Sequence, residues 1–415
     1  MNTLTLQPQN IQKMRLHRTL VYAVINALDK IYNEGEYADK VVQKTLKIDK
    51  RWGARDRKFL AETIYEMVRW KRLYNEIAGT KGHYTRDNIW KNFTAWAVLK
   101  GYKLPDWHQF EGTPTRRIKG KFDELQKDRK FRESIPDWMD EICVKELGEK
   151  RWEKEIHELN QQAKVILRAN TLKTNRKELQ RRLLEEDIAT EIIQDQPDAL
   201  VLTERKNVFM TTIFKEGLFE VQDASSQLVA PFLDVKPGQR VIDTCAGAGG
   251  KSLHLASLME NKGQIIALDI YGHKLKELKK RAKRDGAHNI ETRPIESTKT
   301  IKKLKNTADR VLIDAPCSGL GVLKRNPDSK WKMQPEFIQK IRETQAEILD
   351  NYSSLVKSGG KLVYATCSIL PSENEKQVEL FLANHPEFKL VEDKKVSPVK
   401  SGFDGFYMAL MEKIN

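Results

Sequence analysis

The sequence is short of the features that would place it in several large classes. Its four cysteines, Cys143, Cys245, Cys317 and Cys367, include no C-x-x-C pair, and no His-x-x-x-His accompanies them. A structural zinc site is therefore not expected, and four cysteines in 415 residues do not make a disulfide scaffold. There is no run of about 18 apolar residues of the kind that spans a membrane. The opening "MNTLTLQPQNIQKMRLHRTL" has no apolar core of a secretory signal. No repeat or low-complexity tract occurs. Together these absences lead us to expect a cytoplasmic, monomeric protein with free thiols, no membrane partner and no metal.

Charge is present in excess and is unevenly placed. The net charge is +15; residues 1–100 hold 19 Lys/Arg against 10 Asp/Glu, and residues 251–350 hold 21 against 13. Local basic excess is the footprint of a protein that neutralises phosphates, although lysines also solvate helix faces.

The pattern of apolar residues changes along the chain. Residues 10–100 read as helical, with "LVYAVINALDKIY" and a six-turn run "RDRKFLAETIYEMVRWKRLYNEI". From about residue 160, "AKVILRANTL", "ATEIIQ" and "ALVLT" read as strands around a helix opened by Asn175. From about 226, strand and helix alternate: "QRVIDT", "KSLHLASLME", "QIIALD", "HKLKELKKRAKR", "ADRVLID", "PEFIQKIRETQAEILDNYSSLV" and "KLVYAT". Ser372 and Glu375 suggest a capping box before "ENEKQVELFLAN", and "GFYMALMEK" reads as a last strand. Such alternation predicts a parallel sheet with helices on both faces. Three segments are expected: a helical one over 1–149, a small α+β unit over 150–225, and a Rossmann-like α/β domain over 226–415.

In sheets of this kind ligands bind beyond the carboxyl ends of strands. The loop "DTCAGAGGKS" puts Gly247, Gly249 and Gly250 there, where the backbone can turn tightly and approach a ligand. Its spacing is neither G-x-G-x-x-G nor a P-loop. Asp269 ends the next strand, in the place of an acid that bonds ribose hydroxyls. With Lys251 the loop's sole cation, a ligand without phosphates fits, and S-adenosylmethionine is one.

Two further strand ends carry cysteine followed by serine: "IDAPCSGLG" and "YATCSIL". Buried cysteine is often mere packing, and a redox pair is an alternative, but Asp314, Cys317 and Cys367 can converge at one end of the sheet. A thiolate can add to C6 of a cytosine ring and make C5 nucleophilic. A carboxyl group at N3 and the exocyclic amine stabilises the charge that develops. A second thiol can remove the C5 proton. Lys251 or a helix N-terminus could activate the attacking thiol. Cys143 and Cys245 read as packing, Trp331 and Tyr364 as core residues or base-stacking groups, and Arg168 and Arg325 as phosphate contacts.

"DTCAGAGGKS", "DRVLIDAPCSGLGVLKRNPDSKW" and "LVYATCSILPSENE" resemble the signature motifs of the RsmB/Sun-like RNA (cytosine-C5) methyltransferases. "LRANTLK", "FEVQDASSQLVAPFLDVKPGQRVID" and "GFDGFYMAL" extend the likeness over about 165–415, and "RDRKFLAETIYEMVRW" resembles that family's NusB-like helical domain. The resemblance implies a class I S-adenosylmethionine methyltransferase domain, α/β and Rossmann-like. An all-α NusB-like RNA-binding domain and an RRM-like unit would precede it. It implies Cys367 as nucleophile, Cys317 as the thiol that assists release, Asp314 as the cytosine-binding acid and Lys251 beside them. Cys245, Ala246, Gly247, Ala248, Gly249, Gly250 and Lys251 would form the donor loop, with Asp269 on the ribose. Ala248 stands where the family usually has proline, and Glu296 in "TRPIESTK" is the candidate for a third donor-binding acid, with Asp314 also beside the donor. Ribosomal RNA is the expected substrate, with transfer RNA behind it. The alternatives are a DNA cytosine-C5 enzyme, in which Cys317 would attack, and a non-catalytic RNA-binding assembly factor.

Overall fold

The structure is a computed structural model that describes residues 15–414; the first five residues of the expected helical stretch 10–100 lie outside them. Two compact units are present. One comprises the chain up to Asn160 together with Arg325–Met333, the other Gln161–Lys324 with Gln334–Asn415. No helix among the described residues is long and apolar enough to cross a membrane.

The first unit is helical. Its main helices are Arg18–Tyr32, Ala38–Thr45, Ala54–Arg69, Lys71–Ala78, Arg86–Leu99, Thr115–Leu125, Asp137–Leu147 and Glu149–Leu159. Residues three and four apart, such as Leu20, Val24 and Leu28 on the first helix, face one core with Leu60, Ile64 and Phe93. The run expected as one six-turn helix is two. Trp70 leaves the helical region between Arg69 and Lys71. The carbonyls just before the break find donors elsewhere: the Trp331 indole N–H on Val68 (2.7 Å) and the Lys330 ammonium on Arg69 (2.9 Å). Those donors come from a segment 261 to 263 residues away in sequence, so helix periodicity alone could not reveal the break.

The second unit holds two sheets. In the smaller, β1 (Ile166–Ala169), β2 (Thr190–Ile192), β3 (Ala199–Leu202) and β4 (Phe219–Val221) are antiparallel in the order β2-β3-β1-β4. Helix Arg176–Glu185 packs beside them, its first turn capped by Asn175 on the Glu178 N–H at 3.0 Å, as its sequence predicts. This is the ferredoxin-like arrangement of an RRM-type unit.

The larger sheet contains β5 (Arg240–Asp243), β6 (Gln264–Asp269), β7 (Ile290–Pro294), β8 (Ala308–Asp314), β9 (Val356–Thr366), β10 (Phe388–Val396) and β11 (Phe406–Lys413), in the order β10-β11-β9-β8-β5-β6-β7. It is parallel from β9 to β7. It is not wholly parallel, because β11 runs antiparallel between β9 and β10. Successive residues alternate between two cores. Val241, Ile265, Leu312 and Val363 face one; Ile242, Ile266, Ile313 and Tyr364 face the other. Both faces are therefore covered, as a parallel sheet requires. The helix after β9 starts at Glu375, with Asn374 rather than Ser372 in the capping position.

Chain order reverses at β5: β6 and β7 lie to one side, β8 and β9 to the other. The register brings Asp243, Asp269 and Asp314 to the same edge of the sheet, with Asp314 opposite Ala365. A cleft at that edge is where this architecture places its ligands.

Candidate active site

The loop after β5 is held by its own backbone and by side chains from three other elements. Gly247 and Gly249 have φ of +56° and +88°. A Cβ on Gly249 would lie 2.0 Å from Cδ1 of Leu278, so only glycine fits there. A Cβ on Gly247 or Gly250 would meet nothing within 4 Å, so this backbone fronts open space. The Ala246 N–H bonds the Leu268 carbonyl at 2.9 Å. The Ala248 carbonyl accepts from Nη1 of Arg281 at 2.7 Å, and the Gly250 carbonyl from Nη1 of Arg168 at 2.9 Å. Arg168 is thus buried against this loop and is no surface phosphate contact, because the small sheet packs its β1 there. Beneath the loop, burial pushes the Cys245 thiol up to about 12, which leaves it protonated.

Asp269 accepts the Gly247 N–H on Oδ2 (2.8 Å) and the Tyr271 N–H on Oδ1 (2.7 Å). It braces the loop, and each oxygen keeps a lone pair for another donor. Glu296 is exposed two residues beyond β7, whose Pro294 is opposite Asp269.

On the other side of β5, the Lys251 ammonium meets Oδ2 of Asp314 at 2.6 Å. Burial pulls Lys251 down, but the Asp314 charge and hydrogen bond, with Cys367 and Asp243 behind them, hold it above its ordinary value. Cys317 and Cys367 are free thiols with Sγ atoms 3.2 Å apart. The hydrogen bond to Cys367, then burial, then the nearby charges of Cys367 and Glu373 raise Cys317 well above a normal thiol.

The sequence reading missed the group beneath these thiols. Glu373 is fully buried and accepts four hydrogen bonds. Oε1 takes the hydroxyls of Ser318 and Ser368, each at 2.6 Å. Oε2 takes the Ser318 N–H at 2.8 Å and the Gln345 amide at 3.0 Å. Serine follows both cysteines, and that repetition was the signal: two hydroxyls beside two buried strand ends need partners. Tyr364 is buried, its hydroxyl on the Glu373 carbonyl at 2.8 Å, and Trp331 packs in the helical unit, so neither is a free stacking face.

The structure thus brings Cys317, Cys367, Asp314 and Lys251 to one group of strand ends, with the loop from Cys245 to Gly250 and Asp269 at the neighbouring ones. It leaves Glu296 on the surface.

Residues 230–411 match the family model described as 16S rRNA methyltransferase RsmB/F, and residues 135–209 match that of the RsmF/B-like ferredoxin-like domain. A probable ribosomal RNA small subunit methyltransferase B from Synechocystis is 37% identical over 298 residues, 68% of this chain and 67% of that protein. Its namesake from Bacillus subtilis is 37% identical over 268 residues, 60% of each. The match thus spans about two thirds or less of these relatives' length. The solved structure of PH0851 superposes with a TM-score of 0.82 at 27% identity, covering 97% of this chain and all of that one.

Proposed function

The chain belongs to the RsmB/F family of rRNA methyltransferases, and from that premise we propose that it methylates C5 of a cytosine in ribosomal RNA through a covalent Cys367 adduct. The observation that carries the reading is the pair of free thiols 3.2 Å apart at the strand ends that also bear Asp314 and Lys251. We assign RNA binding to the helical residues 1–149 and the RRM-like residues 150–225, and chemistry to 226–415.

The donor loop suits S-adenosylmethionine: glycine backbone with open space before it, and an acid at the next strand end with acceptor capacity left. The residues that would hold it are Cys245 to Lys251, Asp269, Asp314 and, past β7, Glu296. Bound there, it supplies a methyl group on a sulfonium.

The protein's own steps follow from the geometry. Lys251, within electrostatic reach of Cys367, favours the thiolate, and the Cys317 sulfur 3.2 Å away keeps the proton the two share. The Cys367 sulfur adds to C6, and the ring becomes nucleophilic at C5. Asp314 accepts from the exocyclic amine, and the Lys251 ammonium beside it offsets the negative charge that grows at the N3 edge. In the adduct the Cys367 sulfur is a neutral thioether. The largest cause of the high Cys317 value is then gone, and Cys317 can act as base. It takes the C5 proton, the C6–S bond breaks, and Cys367 leaves as thiolate. The cytosine must be unstacked for its C6 to be reached.

Cys317→Ser and Cys367→Ser variants, incubated with rRNA and methyl donor and run on denaturing gels, test this. A trapped protein–RNA adduct is expected from Cys317→Ser only, because that variant attacks but cannot release. An adduct from Cys367→Ser alone would exchange the two roles.

A further inference from the structure

We propose that Glu373 is a positioning residue that fixes the two thiols in register by stapling their loops to one buried carboxylate. It deepens the reading above and rests on it, since it concerns the same two sulfurs.

Each cysteine is followed by a serine, and both serine hydroxyls reach the same oxygen of Glu373. The two hydroxyls also lie 3.2 Å from each other, the same separation as the two sulfurs one residue before them. The cysteine loops therefore run side by side for two residues, with the thiols in front and the carboxylate behind. Neither loop is otherwise regular: β8 ends at Asp314 and β9 at Thr366. Each hydroxyl in addition accepts a backbone N–H of its own loop, Leu320 on Ser318 (3.3 Å) and Leu370 on Ser368 (3.2 Å). Beside the backbone bonds that already join the loops, Ala315 N–H to the Ala365 carbonyl and Gly321 N–H to the Cys367 carbonyl (2.9 Å each), this one carboxylate is the side chain that holds both serines.

A staple of this kind could have been made of neutral groups. A carboxylate at zero exposure is costly unless its lone pairs are filled, and here four neutral donors fill them: two hydroxyls, the Ser318 N–H and Gln345. Gln345 is itself anchored on the Pro316 carbonyl (2.9 Å), one residue before Cys317. The geometry accounts for the charge. Two oxygens that each accept two bonds tie both loops, which an amide cannot do without turning its NH2 toward existing donors. The negative charge also faces Cys317 and favours its protonated form. Glu373 touches neither thiol in a hydrogen bond, so it acts through the loops and through its field.

The test compares wild type, Glu373→Gln, and Ser318→Ala/Ser368→Ala, the last removing both hydroxyl links while keeping the charge. For Glu373→Gln we expect kcat on rRNA to fall roughly 10- to 100-fold, the loss that a misplacement of about 1 Å brings. KM for RNA and for donor should stay within about twofold, as for an effect on the reacting step alone. The pH profile of Cys317 alkylation by iodoacetamide, read by mass spectrometry, should shift to lower pH, which a merely structural residue would not cause. The double serine variant should lose kcat similarly with its alkylation profile nearer to wild type. If Glu373→Gln does not fold, the serine variant alone decides: unchanged kcat overturns the proposal. Unchanged kcat and profile in a folded Glu373→Gln overturn it too. Adduct formation by Cys317→Ser, run in parallel, separates the two failures. Its absence sinks the covalent reading, and its presence beside an unaffected Glu373→Gln sinks only the staple.

Discussion

Asp243 ends β5 with 1% exposure, and its burial, partly offset by the Ser252 hydroxyl at 2.6 Å and made worse by the Asp314 charge, raises its carboxyl to about 7. The unfolded value is about 3.9, so between those limits the folded state holds the proton more tightly. The stability this confers is fully present below about pH 4 and lost as pH rises through about 7. A shift of about three units corresponds to roughly 4 kcal/mol between the two ends. Asp243→Asn keeps an acceptor for Ser252 and cannot ionise. Its urea midpoint should change less between pH 5 and pH 8 than that of wild type; parallel profiles would refute the argument. Asp243 shows why single residues were unequally legible. Cys317 and Cys367 were legible because each follows an apolar strand in the same Cys-Ser pattern. Asp243 and Glu373 are carboxylates, common on any surface, and only burial makes them unusual. In "LPSENE" Glu373 looked like part of a helix start, and nothing local foretold two serines converging on it.

The elements of the large sheet were legible where they alternate between its two cores, and β10, which with β7 escaped notice, shows the limit. In β10 only Phe388 is buried while Lys389 to Lys395 are exposed, so no apolar period marks it. It exists because β11 offers it a backbone edge. The bracing of the donor loop was hidden for the same reason. Arg281, on helix Gly272–Asp285, donates to the Ala248 carbonyl and to Glu220 on β4 (2.7 Å each), while Arg284 joins the same carboxylate. On the next helix-facing strand, Arg168 of β1 holds Gly250 and Gln222. The small sheet thus grips the loop, and hydrogen bonds supply its stiffness. Arg281→Met preserves the packing stem and removes the donors. A hydrogen bond of a charged donor contributes about 1.5–3 kcal/mol, so S-adenosylhomocysteine, titrated calorimetrically, should bind about 10-fold or more weakly. Unchanged affinity would mean that the loop needs no brace.

At the scale of the whole molecule, the chain leaves the second unit after Lys324, contributes Arg325–Met333 to the helical unit, and returns at Gln334. The insertion is built to stay. Lys330 is fully buried, and its ammonium donates to the carbonyls of Arg69 and Ser134 (2.9 Å each) and to Oδ1 of Asn160 (3.0 Å). Asp328 accepts the Ala38 N–H at 3.0 Å, and the Lys332 ammonium reaches the Glu36 carbonyl at 2.9 Å. These nine residues close helix ends that would otherwise bury carbonyls without donors. The helical unit is therefore completed by residues that lie eight positions or more beyond Cys317 in sequence, and a break between residues 160 and 161 would not yield its whole fold. Lys330→Met retains the apolar stem but strips three buried acceptors of their donor at once. Each unsatisfied acceptor costs about 1–3 kcal/mol, offset in part by the relief of a desolvated ammonium, so a net loss of roughly 2–4 kcal/mol is expected. It should be local: hydrogen exchange should quicken at the end of helix Ala54–Arg69 and around Glu133–Asn160, while binding of S-adenosylhomocysteine to the second unit stays as in wild type. Unaltered exchange in those helices would show that the insertion rests on the helical unit without supporting it.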